Sequence, residues 1–317
     1  MFFTNLFNPR LLREEPVLAL PTGIFFVLLG FTSAVIIFPK DISIATVFFS
    51  SLFILPYVVK IFDYEEKEIL EKAVKKRGKL PLWNRMWSVL PEAGRIKASE
   101  DRSHTIYFPR GRFYRRHLPL VRFYFYLFLG MSIAYLYLYG VTEPSQKPLV
   151  FSQQLDLIHP YTQGFFSRNT AFEEILLNNL TVAFVCLVIS FFYGTGAIFI
   201  LNFNASVAGV FFGGFFKAFY AMVKLVYDQK LWSMGVVKGG ALKLYFVPFF
   251  FLPHTVLELS GFLLAAVAGG ILSRTLPHEP SGTTRVFLKD SLSFFVIAMV
   301  LIIIAAYVEV TLPAMFI

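Results

Sequence analysis

The chain has 317 residues, of which 56% are hydrophobic, 18% aromatic and only 15% charged, and its mean hydropathy is +0.65. So little charge cannot cover the surface of a water-soluble domain, so the composition predicts an integral membrane protein and argues against a soluble enzyme. The formal charge of +9 lies beside hydrophobic segments, which points to anionic lipid rather than nucleic acid.

In chain order, the first apolar run covers 17–38, long enough to cross roughly 30 Å of hydrocarbon. It is too long for a signal-peptide core and lacks a small-residue cleavage site, so it is expected to stay as a span. Pro39-Lys40-Asp41 marks a turn, and 42–62 forms the second span of a transmembrane hairpin. Residues 63–118 change composition abruptly, with lysines and glutamates interleaved, and end in Arg110, Arg112, Arg115 and Arg116. These arginines are expected to face lipid headgroups. The third span is 119–140, followed by a more acidic polar segment over 141–174. The positive-inside rule then places the N-terminus and the 63–118 loop in the cytoplasm of a cell-membrane protein.

Spans four to seven are expected at 175–201, 203–226, within 239–273, and at 291–308. The 239–273 run is too long for one crossing and contains Pro248 and Pro253. Seven simple crossings also put Lys224, Lys230, Lys238 and Lys243 outside, against the charge rule. A re-entrant or broken helix within 203–252 would remove that conflict. The expected fold is therefore all-α, a polytopic bundle of about seven transmembrane helices. It divides into a hairpin (1–62), a basic loop (63–118) and a C-terminal membrane domain (119–317).

Residues four or seven apart share a helix face. Small residues recur at that spacing as Ala205, Gly209 and Gly213 on the fifth span, and as Gly261, Ala265 and Gly269 on the sixth. Such stripes let backbones approach closely where lipid offers no hydrophobic drive for association. Both are expected in the bundle core, against one another. The first two spans lack stripes of this kind and are expected at the periphery.

Ionisable and amide groups inside spans are the default functional candidates. Here they are His254, Glu258 and Glu309, with Asn178, Asn179, Asn202 and Asn204. The same groups can instead serve structure alone, as a self-satisfied pair or as amides joining helices. His254-Thr255-Val256-Leu257-Glu258 lacks the second histidine of a zinc protease motif, and no nucleophile elbow, P-loop or dinucleotide fingerprint is present. No catalytic residue, metal site or cofactor is expected.

Three ordered motifs resemble the stage II sporulation protein M family. They are Glu174-Ile175-Leu176-Leu177-Asn178-Asn179-Leu180 (with Asn204 and Gly209 following), Pro253-His254-Thr255-Val256-Leu257-Glu258-Leu259, and the ending Ala305 to Pro313 around Glu309. Thr255 and Ala205 stand where that family usually has glycine. The resemblance covers roughly 119–317 and implies a multi-pass membrane fold; in spore formers, members join complexes with cell-wall hydrolases. The leading expectation is a non-enzymatic membrane scaffold that recruits membrane or envelope proteins, rests on the lipid bilayer and helps organise or remodel it. The alternative is a transporter or permease component whose polar path is lined by His254, Glu258, Glu309 and the asparagines. A dry bundle favours the first and a cavity reaching those residues the second.

Overall fold

Apolar segments cut off from water must satisfy their backbone groups internally, and a helix does so within one segment. The computed structural model describes residues 8–75, 95–97, 105–107, 113–162, 172–228, 241–275 and 282–314. Its helices are α1 (Pro9–Glu14), α2 (Ala19–Ile37), α3 (Ile42–Lys75), α4 (Phe113–Val141), α5 (Lys147–Val150), α6 (Ser152–Thr162), α7 (Phe172–Tyr193), α8 (Ile198–Asp228), α9 (Ala241–Ser273) and α10 (Gly282–Ala314). Among the described residues, seven helices are long and apolar enough to cross a membrane: α2, α3, α4 and α7 to α10. The exception to helix is a short antiparallel ladder in the basic loop, β1 (Arg95–Lys97) with β2 (Thr105–Tyr107), in the register Arg95↔Tyr107. Many large apolar side chains on the spans are exposed, among them Leu177, Phe184, Phe192, Val256, Val296 and Tyr307, as a lipid-facing surface requires. The chain is a multi-pass membrane protein.

The spans pack as two groups. α2, α3, α4 and α8 form one, and α7, α9 and α10 the other, with far fewer contacts between groups than within them. In the first group, backbones meet at glycines. A Cβ on Gly23 would lie 2.7 Å from the Leu127 carbonyl oxygen, one on Gly30 would lie 2.7 Å from Ser50 N, and one on Gly130 would collide with the Leu20 carbonyl. The hairpin is therefore built into the core, not held at its edge: Gly23 and Gly30 lie seven apart on one face, a sparse stripe hidden among large residues. The fifth-span stripe meets α4 in this same group, with Gly209 against Ser132 and Tyr135 and Gly213 against Tyr139.

The sixth-span stripe serves the second group. Gly261 abuts Ile302 and Ala298 on α10, Gly269 abuts Leu187 and Ser190 on α7, and Ala265 is fully buried. Ser291 Oγ donates to the Ala268 carbonyl at 2.7 Å. The two stripes thus face two different interfaces, not each other. Spacing defines which face is small, while the partner depends on which neighbour offers a matching surface.

Two boundaries differ from expectation. The fourth span ends at Tyr193, and α8 already begins at Ile198. Between them Gly194 adopts φ 71°, a left-handed conformation open to glycine at little cost. Ser190 Oγ accepts the Ala197 N–H at 3.3 Å and helps close the turn. This turn is only four residues long and carries no charge, so the flanking apolar runs hide it. Second, α9 is helical through both Pro248 and Pro253, and no re-entrant segment occurs among the described residues. Proline is tolerated in membrane helices where local adjustments re-satisfy the freed backbone groups. Seven straight crossings put the exposed Lys224 at the end of the molecule away from the basic loop; Lys230 and Lys238 lie outside the described residues.

Candidate functional site

Charged side chains join the two groups at the end that carries the basic loop. Arg116 on α4 donates from Nε (2.9 Å) and Nη2 (2.6 Å) to the two oxygens of Asp290 on α10. The adjacent His117 points Nδ1 at Glu65 of α3 (2.7 Å) and Nε2 at Asp290 (3.2 Å). Glu65, His117 and Asp290 are all buried. Arg274, just past α9, pairs with Asp63 of α3, and Arg13 of α1 pairs with Glu68. Arg116 is thus turned inward rather than toward lipid, because a buried carboxylate pairs with a guanidinium more strongly than an exposed headgroup does. Arg115 remains exposed; Arg110 and Arg112 fall outside the described residues.

Away from that end the two groups diverge. The Gly194 turn joins α7 to α8, yet these helices scarcely touch along their lengths. Between them lies a cavity of about 440 Å³. α7 contributes Glu174, Asn178 and Asn179 to its wall, α8 contributes Asn204, α9 contributes His254 and Glu258, and α10 contributes Glu309. α6 folds back to close one side with Leu157 and Ile158. That short helix is pinned by Gln154, whose side chain accepts from Ser43 Oγ (2.7 Å) and donates to Ser206 Oγ (2.9 Å).

Six of the seven polar candidates therefore line one cavity, although four different spans carry them. Asn202 is the exception. Its amide nitrogen lies 2.6–3.1 Å from Ser50 Oγ, Ser51 Oγ and the Val47 carbonyl, where it ties α8 to α3 inside the first group. On a helix Asn202 and Asn204 are about 200° apart, so the pair had to face opposite ways. His254 and Asn179 are buried, and Asn178 donates to Asn179 Oδ1 at 3.2 Å. Asn204 donates to the Ile200 carbonyl at 2.9 Å. The rest of the wall is apolar and aromatic, with Phe203, Phe211 and Phe212 from α8 and Leu259 from α9. Chemically the site offers hydrogen-bond acceptors and carboxylates on a hydrocarbon and ring surface. Sequence reading missed Glu174 and Gln154 as members of this region. Glu174 was visible as an acidic residue in the first turn of α7, whereas nothing in the periodicity marks Gln154.

No solved structure matches the chain. An uncharacterized protein of Methanocaldococcus jannaschii is 31% identical over 144 residues, which make up 44% of this chain and 68% of that protein. Residues 123–312 match the family described as Stage II sporulation protein M. That stretch runs from within α4 to the last turn of α10 and includes all seven polar candidates, so the chain belongs to the Stage II sporulation protein M family.

Proposed function

We propose that this protein binds a small solute within the membrane and carries it across, as a transporter or permease component. The observation behind this reading is the cavity between two loosely joined helix groups, lined by carboxylates and amides that four spans bring together. Polar groups in a bilayer are costly and persist where they serve a path or a ligand. Sites at the interface of two helical groups suit alternating access, in which one group rocks against the other. The charged contacts at the basic end then form the closed side, and the divergent end the open one. In this reading the chain breaks no covalent bond of its ligand, and the basic end faces the cytoplasm and its anionic lipids.

The scaffold alternative predicts a packed bundle with no room beside His254 and Glu258, so the cavity weighs against it as the sole role. A ligand-independent test distinguishes the two. Thr255 lines the cavity, and Thr255→Cys in a Cys186→Ser background gives one reporter thiol. In proteoliposomes, an impermeant maleimide should label it both from outside and when trapped within, because a carrier opens to each side in turn. Labelling from neither side would overturn the carrier reading, and labelling from one side alone would reduce it to a fixed binding pocket.

A further inference from the structure

We infer that the ligand of this cavity is an organic cation, a protonated amine attached to an apolar body. The inference rests on the cavity being a ligand site and adds the chemical class that fills it.

Charge is the first ground. Glu258 and Glu309 both line the cavity from within apolar spans, and Glu174 is a third carboxylate in its wall. Neither Glu258 nor Glu309 forms a hydrogen bond or ion pair with any described residue, and each is a near neighbour of the other. No lysine or arginine is among the described residues that line the space. By contrast, the carboxylates at the opposite end (Asp63, Glu65, Glu68 and Asp290) each meet an arginine or His117. Among the described residues, the protein therefore supplies counter-charges for its structural carboxylates and places no lysine or arginine beside Glu258 and Glu309, where His254 is the one basic side chain in the wall. An anion in a low-dielectric site calls for a partner, and an ammonium ligand provides it.

Hydrogen-bonding capacity is the second ground. Asn178 and Asn204 each spend an amide N–H on the protein, on Asn179 Oδ1 and the Ile200 carbonyl, and among the described residues their own Oδ1 receives no donor. Asn179 has the opposite balance, with its oxygen used. With the carboxylates, the wall is richer in acceptors than in donors, which suits a ligand that brings N–H groups and repels a carboxylate or phosphate. The third ground is the aromatic wall. Phe203, Phe211 and Phe212 lie on one helix beside the carboxylates, and ring faces attract ammonium groups while accepting an apolar body. A cavity of about 440 Å³ has room for an indole-sized amine.

Three probes with one indole body separate the possibilities: tryptamine (cation), tryptophol (neutral) and indole-3-propionate (anion). Binding to the protein in nanodiscs is measured by calorimetry. Tryptamine should bind at least tenfold more tightly than tryptophol, and indole-3-propionate should bind most weakly of the three. Glu258→Gln with Glu309→Gln should weaken tryptamine at least tenfold and leave tryptophol unchanged. Equal or tighter binding of tryptophol or of the propionate would overturn the cation assignment and leave a ligand pocket of another class. Tryptamine affinity untouched by the double substitution would place that amine elsewhere and also overturn it. If the double variant fails to fold, the three-probe comparison on the unaltered protein decides alone. Failure of all three probes refutes the assignment, and the two-sided labelling at Thr255 still judges the carrier reading separately.

Discussion

Two glycines five residues apart on α8 provide a measurement of helix packing with its own internal control. A Cβ on Gly209 would lie 2.5 Å from the Ser132 carbonyl oxygen, 2.6 Å from Tyr135 Cβ and 2.9 Å from Leu136 N. Two of these are backbone atoms of α4, which cannot rotate away. To regain an ordinary 3.4 Å contact, α8 and α4 must separate locally by up to 0.9 Å (3.4 − 2.5). A gap of that size forfeits a quarter to a half of the dispersion energy of neighbouring contacts, and overpacking of this kind costs about 1–3 kcal/mol. A Cβ on Gly214, in contrast, would meet only the Tyr139 ring at 3.7–4.0 Å. Both changes to alanine gain the same helix preference, roughly 0.5–1 kcal/mol. That gain cancels in their difference, so Gly209→Ala should be less stable than Gly214→Ala by about 1–3 kcal/mol. Equilibrium unfolding in mixed micelles, titrated with sodium dodecyl sulfate, measures each variant. Equal stability of the two would mean that α8 and α4 do not meet backbone to backbone at Gly209, and the assignment of the fifth-span stripe would fall with it.

Three further outcomes are expected. Asp290→Ala strips Arg116 and His117 of a shared partner and should cost about 3–5 kcal/mol in the same assay, whereas Arg10→Ala, which breaks an exposed pair with Glu14, should cost no more than about 1 kcal/mol. Gln154→Leu leaves Ser43 and Ser206 without their shared bridge and should cost on the order of 1–3 kcal/mol, with faster proteolysis of α6 as a second readout. In intact cells, an impermeant thiol reagent should label Ser145→Cys and not Arg115→Cys, both in a Cys186→Ser background; the reverse pattern would invert the proposed orientation.

Much of the architecture could be read from composition and spacing. Hydropathy located the spans because a bilayer leaves an apolar segment few alternatives to a helix. Six of seven polar candidates meet at one cavity because a polar side chain in a span must turn from lipid toward protein or a ligand. Partners were less legible. The Gly209 and Gly261 stripes each marked a face, yet the surface that meets a face belongs to another helix, and spacing carries no information on it. The hairpin looked peripheral because Gly23 and Gly30 are only two small residues in a run of Phe, Val and Leu. Arg116 looked like a lipid anchor because its partner, Asp290, lies 174 positions away. The Gly194 turn was hard to see because Gly194-Thr195-Gly196 is a short uncharged break between two apolar runs, with no proline in it.

The interleaving of the two helix groups has a consequence for biogenesis. Spans leave the ribosome in order, yet the first group takes spans one, two, three and five, and the second takes four, six and seven. When α8 is inserted, the other three spans of its group, including the α3 and α4 it packs against, are already in the bilayer. α7, made just before it, has none of its own, because α9 and α10 are still to be synthesised. Its buried stripe of Asn179, Ala183, Cys186 and Ser190 must meanwhile face lipid, the insertion machinery or a transient neighbour. Assembly therefore cannot proceed strictly span by span from the N-terminus. A nascent chain stopped after α8 should hold a settled first group and a fourth span whose polar stripe still lacks its partners.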